Sequence, residues 1–247
     1  MLVYLILMLF FLLFIFELIL LFFLSRRLIN SLAQIIYRFT KSHRAVVNIL
    51  AIIFLPGTIF HELAHLLIAG VMLVQVGEIN VLPEVLSKGQ PSSGWEETGV
   101  KLGSVQIGHT DPFRRMIIGL APVLFGILSI LAALYFVRSE NHFVFWQVFL
   151  VLYLVFEIGN TMFSSKRDLE GAIGFLAIMT VAAIVVVILY FLNPVLIQQI
   201  WLWLNNLNLE GASNFFKMAS IYLVVPILLD VLVILLTKSL IGRRYVV

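Results

Sequence analysis

At 247 residues, 62% of them hydrophobic and 12% charged, the chain departs from soluble domains, which are about half apolar and a quarter charged. Its net charge of +3 is small and scattered over polar segments, which excludes a nucleic-acid surface and suits the basic flanks of membrane helices. Cysteine is absent, so there is no disulfide framework and no thiolate site; any zinc must be held by His and carboxylate.

Six runs come close to the roughly 20 apolar residues that a spanning helix needs: 1–24, 45–74, 116–137, 143–163, 171–192 and 215–241. The sequence therefore predicts an integral, multi-pass, all-α polytopic membrane protein of about six transmembrane helices. It divides into an N-terminal anchor and interfacial helix (1–44), a core (45–172) and C-terminal transmembrane helices (173–247). The first run has no basic residue before it and is too long for the apolar part of a signal peptide, so it reads as a retained anchor. Glu17 in its middle reads as a solvated or paired structural carboxylate. Leu28, Ile29, Leu32, Ile35, Ile36 and Phe39 then recur at helical spacing, with Arg26, Arg27, Asn30, Gln34 and Arg38 mostly opposite. That pattern predicts an amphipathic helix lying at lipid headgroups.

The second run carries Pro56-Gly57 just ahead of His61-Glu62-Leu63-Ala64-His65, so a kink or restart is expected there. On a helix the two imidazoles stand four residues apart on one face, with Glu62 beside them. This is the spacing with which two histidines grip zinc while a glutamate serves as general base towards water. Two hydrogen-bonded histidines in a polar core would be the purely structural alternative, but ionisable groups at membrane depth are costly and usually functional.

Residues 75–115 form the one sizeable polar interlude. Period-two alternation over 76–82 and 98–109, around a stretch rich in Pro, Gly and Ser, predicts a small β-hairpin or sheet inserted after the metal-motif helix. Gly119-Leu120-Ala121-Pro122 opens the next run with small residues that permit close helix approach. The fourth run ends in the polar stretch Glu157 to Asp168. Trp201 and Trp203 suit an interfacial belt, and Asp230 in the last run reads as a structural carboxylate.

A catalytic zinc takes three protein ligands, so one zinc on His61 and His65 needs a partner. Asp168 is the first candidate, Glu157 and Asp111 are weaker ones, and His109 is a possible ligand or substrate contact. Asp168 is equally well placed to be an N-cap of the fifth run.

Residues 45–172 resemble the site-2 protease family of intramembrane zinc metalloproteases, as a divergent member. The likeness rests on HELAH at 61–65 in a membrane helix, a following hairpin-like segment, and Ala121-Pro122, similar to that family's Gly-Pro-x-x-Asn cluster. It rests also on Asn160 standing eight residues before Asp168, the separation in the family's Asn-x-x-Pro-x-Pro-x-Leu-Asp-Gly segment. Phe125, Phe163, Ser165, Arg167 and Leu169 depart from that pattern. The resemblance implies that His61, His65 and Asp168 hold zinc and that Glu62 is the general base. It implies a transmembrane protein or peptide as substrate, unwound locally before cleavage and received by the 98–109 strand, where Val105, Ile107 and His109 lie. Asn160 would donate a hydrogen bond to that strand. Two other classes remain open: a non-catalytic zinc-binding scaffold, suggested by the altered segment before Asp168, and an ion or small-solute transporter using Glu17, Glu157 and Asp230.

Overall fold

A computed structural model describes residues 2–80, 84–85, 100–101, 104–139, 144–163, parts of 174–199, and 210–241. Its helices are α1 (Leu2–Thr40), α2 (His43–Ile53), α3 (Leu55–Val71), α4 (Pro112–Ser139), α5 (Phe145–Thr161) and α6 (Glu210–Ile241), with four short strands between α3 and α4. Three of them, α1, α4 and α6, are long and apolar enough to cross a membrane, and the bent pair α2–α3 makes a fourth candidate. The architecture is thus mainly helical and compatible with a membrane protein, but six spans are not what the described residues give. At 17 residues α5 is only about 26 Å long, somewhat short of a hydrocarbon core of about 30 Å. In the 171–192 run the described residues include the apolar helix Thr180–Leu189.

Residues 2–40 contain neither glycine nor proline, and α1 runs through them unbroken for 39 residues, about 58 Å. The amphipathic stretch expected after the first run is therefore the second half of α1, continuous with the first. Its amphipathic pattern is real, but the apolar side covers protein: Leu28 and Ile29 are buried with Val46, Val47, Leu50 and Phe54 of the α2 region and Ile234 of α6. Lys41, in the left-handed region at φ 53°, turns the chain, and the Ser42 hydroxyl accepts the Ala45 N–H to open α2.

Alignment along the bundle follows from paired contacts. Arg38 donates to the Leu240 carbonyl 202 residues on, and Phe14 meets the Phe216 ring edge-on at the same sequence separation, so α1 and α6 run parallel. By contrast Phe156 packs on the cluster that contains Ile234, Asn160 bonds Asp230, and Met162 shares a cluster with Leu223, a succession that makes α5 antiparallel to α6. Small residues allow the close approaches. A Cβ on Gly126 would come within 3.1 Å of Met162, and one on Gly159 within 3.1 Å of Pro226.

The break before the metal motif is where Pro56 and Gly57 place it. Helices α2 and α3 meet at 66°, with Pro56 in the first turn of α3, where the N–H it lacks has no helical partner to serve. Helix α3 ends in a Schellman motif: the Val74 N–H bonds to Ala69 O and the Leu73 N–H to Gly70 O, with Leu73 at φ 55°. Val74 and Ala69 then pack together beside Ile118, completing the apolar contact that usually accompanies this cap.

That turn launches the expected hairpin. Strand β1 (Val76–Asn80) pairs antiparallel with β4 (Ser104–Ile107), Ile79 opposite Val105 and Val76 opposite Ile107, with a bulge between Val76 and Ile79. Farther out, β2 (Glu84–Val85) pairs with β3 (Val100–Lys101). Val76 and Ile107 rest on the Ala69–Val74–Ile118 cluster, so the base of the hairpin is fixed to α3 and α4.

Candidate metal centre

Helix α3 sorts its residues by face. Gly57, Thr58, His61, Glu62, Ala64, His65 and Ala69 are buried against neighbouring helices, while Ile59, Leu63, Leu67 and Val71 point outward as an apolar surface. The polar groups of the motif therefore face the bundle interior, the usual orientation for ionisable groups in membrane helices.

The rings of His61 and His65 meet edge to face, and their Nε2 atoms lie 3.2 Å apart. On its other side the His65 Nδ1 is 2.9 Å from the Ile118 carbonyl. A carbonyl only accepts, so Nδ1 carries a proton, and in that tautomer it is Nε2 that faces His61 and could offer a lone pair to a metal. That is the outer-shell arrangement found around metal-binding histidines. Two nitrogens at about 2.05 Å from one tetrahedral zinc lie about 3.3 Å apart, close to the spacing observed. The two imidazoles thus fit a zinc ion as neighbouring ligands.

Among the described residues no set of three His, Cys, Asp or Glu gathers closely enough to hold a metal. Asp168 lies outside the described residues. Glu157 is fully buried on α5, which packs directly on α3. Its Oε2 accepts the Gly57 N–H at a long 3.4 Å, one turn before His61, while its Oε1 has no hydrogen-bond partner. Tyr153, one turn earlier on α5, donates to the Ile53 carbonyl at 2.9 Å. So α5 serves backbone groups on both sides of the break, a donor on α3 and an acceptor on α2.

Asp111 has a different occupation. It is half exposed, accepts the Arg114 N–H at 2.9 Å and pairs with the Arg114 guanidinium at 3.2 Å. It therefore caps α4, and those backbone and charge contacts hold its carboxyl below the usual range. His109 is exposed in the turn after β4. Val105 is buried and Ile107 half-buried, both within β4. Asn160 is fully buried: its Nδ2 donates to the Phe156 carbonyl at 2.9 Å and to Asp230 Oδ1 at 2.7 Å. The carboxylates that a transport pathway would enlist are dispersed, with Glu17 beside Ser220, Glu157 at Gly57 and Asp230 on Asn160.

The links missed from sequence are Tyr153 to Ile53, Ile118 to His65, and Asp230 to Asn160. Each joins residues at least 53 positions apart. A tyrosine on an apolar helix one turn before a glutamate is the faint signal that pointed to the first. No protein-family model, curated protein or solved structure matches this chain.

Proposed function

We propose that this chain is an intramembrane zinc metalloendopeptidase that cleaves a transmembrane protein or peptide. The observation that carries the reading is the 3.2 Å approach of two imidazole Nε2 atoms on the inward face of a broken apolar helix, one ring oriented by a backbone carbonyl. His61 and His65 would hold one zinc, with Asp168 as the carboxylate that completes the set. When bound, zinc supplies Lewis acidity for polarising the scissile carbonyl and lowering the pKa of water. Glu62, buried beside His61, takes the proton from water and later returns it to the leaving amine.

A helical substrate must unwind first, because its amides are satisfied internally and its carbonyls are shielded. Strand β4 has one hydrogen-bonded neighbour, β1, among the described residues, and adding the unwound segment along its other edge gives backbone affinity without demanding a sequence. Val105 and Ile107 lie on that strand and His109 just beyond it, close to where α3 delivers the histidines. Helices α1, α4 and α6, with the bent α2–α3 pair as a further candidate span, would lie among membrane lipids.

A second reading, a zinc-binding scaffold without turnover, draws on the same pair of histidines and on the altered segment before Asp168. Co-reconstitution with a single-span substrate separates the two. Wild type should cleave; Glu62→Gln should keep its metal and lose cleavage, since the amide cannot take the proton. A Glu62→Gln protein that cleaves near the wild-type rate refutes the proposed chemistry, and a zinc-loaded wild type inert towards every such substrate favours the scaffold.

A further inference from the structure

The contact between α5 and α6 leaves two oxygens unexplained. Asn160 and Asp230 are both fully buried, and Asn160 Nδ2 donates to Asp230 Oδ1 at 2.7 Å. Asn160 Oδ1 and Asp230 Oδ2, the other oxygen of each group, have no donor. Both are acceptors if the carboxyl is ionised, and burying two such atoms unpaired is costly. The amide orientation is not open to reversal, because Nδ2 also donates to the Phe156 carbonyl, which a flipped oxygen would repel.

Charge neutralisation by a cation is not what the structure uses. Helix α1 brings Arg26 to within about one turn of the height of Asp230, by the alignment set at Phe14–Phe216 and Arg38–Leu240. Yet the Arg26 guanidinium lies over the Phe22 ring, 4.4 Å from its centroid, and no ion pair reaches Asp230 among the described residues. Of the other charged groups on α1, α5 and α6, Glu17 and Glu157, one turn before Asn160, are buried and acidic, whereas Arg27, Arg38, Lys217 and Lys238 are exposed.

We infer that Asp230 is a protonated positioning residue, whose carboxyl forms a two-bond acid–amide ring with Asn160 and clamps α6 to α5. One proton on Asp230 Oδ2, donated to Asn160 Oδ1, satisfies both orphan oxygens at once and leaves no net charge at membrane depth. The clamp sits one turn beyond Glu157 and beside Thr161, whose side chain faces Gly57 on the metal helix, so it fixes the part of α5 against which α3 is set. Asn160 is consequently occupied, and the role in substrate capture implied by the family resemblance is unavailable to it while the ring is closed.

The chain has three aspartates, so carboxyl-labelled aspartate incorporated into the reconstituted full-length protein gives few signals. Infrared spectra at neutral pH should contain a protonated-carboxyl C=O band that disappears in Asp230→Asn. That variant should keep a melting temperature near wild type, because the second amide restores a donor opposite Asn160 Oδ1. Asp230→Leu should unfold at clearly lower temperature, and Asn160→Leu should equally lose the band. A wild-type spectrum with ionised carboxylates alone, or Asp230→Asn as damaging as Asp230→Leu, overturns the ring. These readouts need neither zinc nor turnover, so they stand apart from the proposed protease activity.

Discussion

Gly57 offers the sharpest test of how α5 sets α3. A Cβ there would lie 2.6 Å from Thr161 Oγ1, 2.8 Å from Thr161 Cγ2 and 2.8 Å from the Glu157 carbonyl oxygen. Thr161 has little freedom to yield, since it is buried and its hydroxyl donates to the Glu157 carbonyl at 2.8 Å. The carbonyl belongs to the helix backbone, so relief demands that α3 and α5 separate by several tenths of an ångström. Overpacking of this kind costs about 1–3 kcal/mol, which for a chain of this size lowers the melting temperature by roughly 2–12 °C. The assay is thermal unfolding of purified Gly57→Ala in detergent, with zinc content measured beside it. Gly70→Ala on the same helix is the control, because nothing lies within 4 Å of its Cβ and alanine is the better helix former. A Gly57→Ala protein as stable as wild type, or one no worse than Gly70→Ala, would refute the reasoning that helix contact at this glycine positions His61.

Three other outcomes follow from the structure. Proline at Val105 or Ile107 should impair cleavage of a transmembrane substrate with zinc retained, and alanine should matter less, since proline removes a backbone donor from β4; intact turnover across a proline scan of 98–109 would leave substrate holding to the helices. Replacing Tyr153 by Phe removes the donor to the Ile53 carbonyl and should destabilise by about 1 kcal/mol, read as a melting shift; an unchanged melting temperature would mean the break needs no help from α5. Asp111 has a carboxyl pKa lowered in the folded state, so its capping contribution is complete above the ordinary aspartate pKa and fades as pH falls through the lower folded value. Asp111→Ala should flatten that acid limb of the stability profile, and a limb of unchanged slope would assign it to other carboxylates.

What could be read from sequence was what depends on near neighbours. The i, i+4 histidines face inward because the residues between and around them, Ile59, Leu63 and Leu67, are apolar enough to face lipid. Pro56-Gly57 marked the break, and period-two alternation marked the hairpin with β1 and β4 inside the expected stretches. Nothing in 2–40 stops a helix, and Leu28 and Ile29, expected against headgroups, lie against protein of α2 and α6. The tautomer of His65 and the state of Asp230 were illegible, because each is decided by a residue on another helix, Ile118 and Asn160. The proposed third metal ligand, Asp168, has the same character, since only the tertiary path of the chain could bring it to His61 and His65.

Zinc K-edge X-ray absorption on purified protein, with metal content determined on the same sample, tests the metal centre most directly. About one zinc per chain should be found, with imidazole scattering from two histidines and a carboxylate oxygen shell that is lost, together with most of the metal, in Asp168→Ala. Protein that retains no zinc, or a zinc shell without imidazole, would contradict the claim that His61 and His65 are metal ligands; zinc undiminished in Asp168→Ala would pass the third position to Glu157, Asp111 or His109.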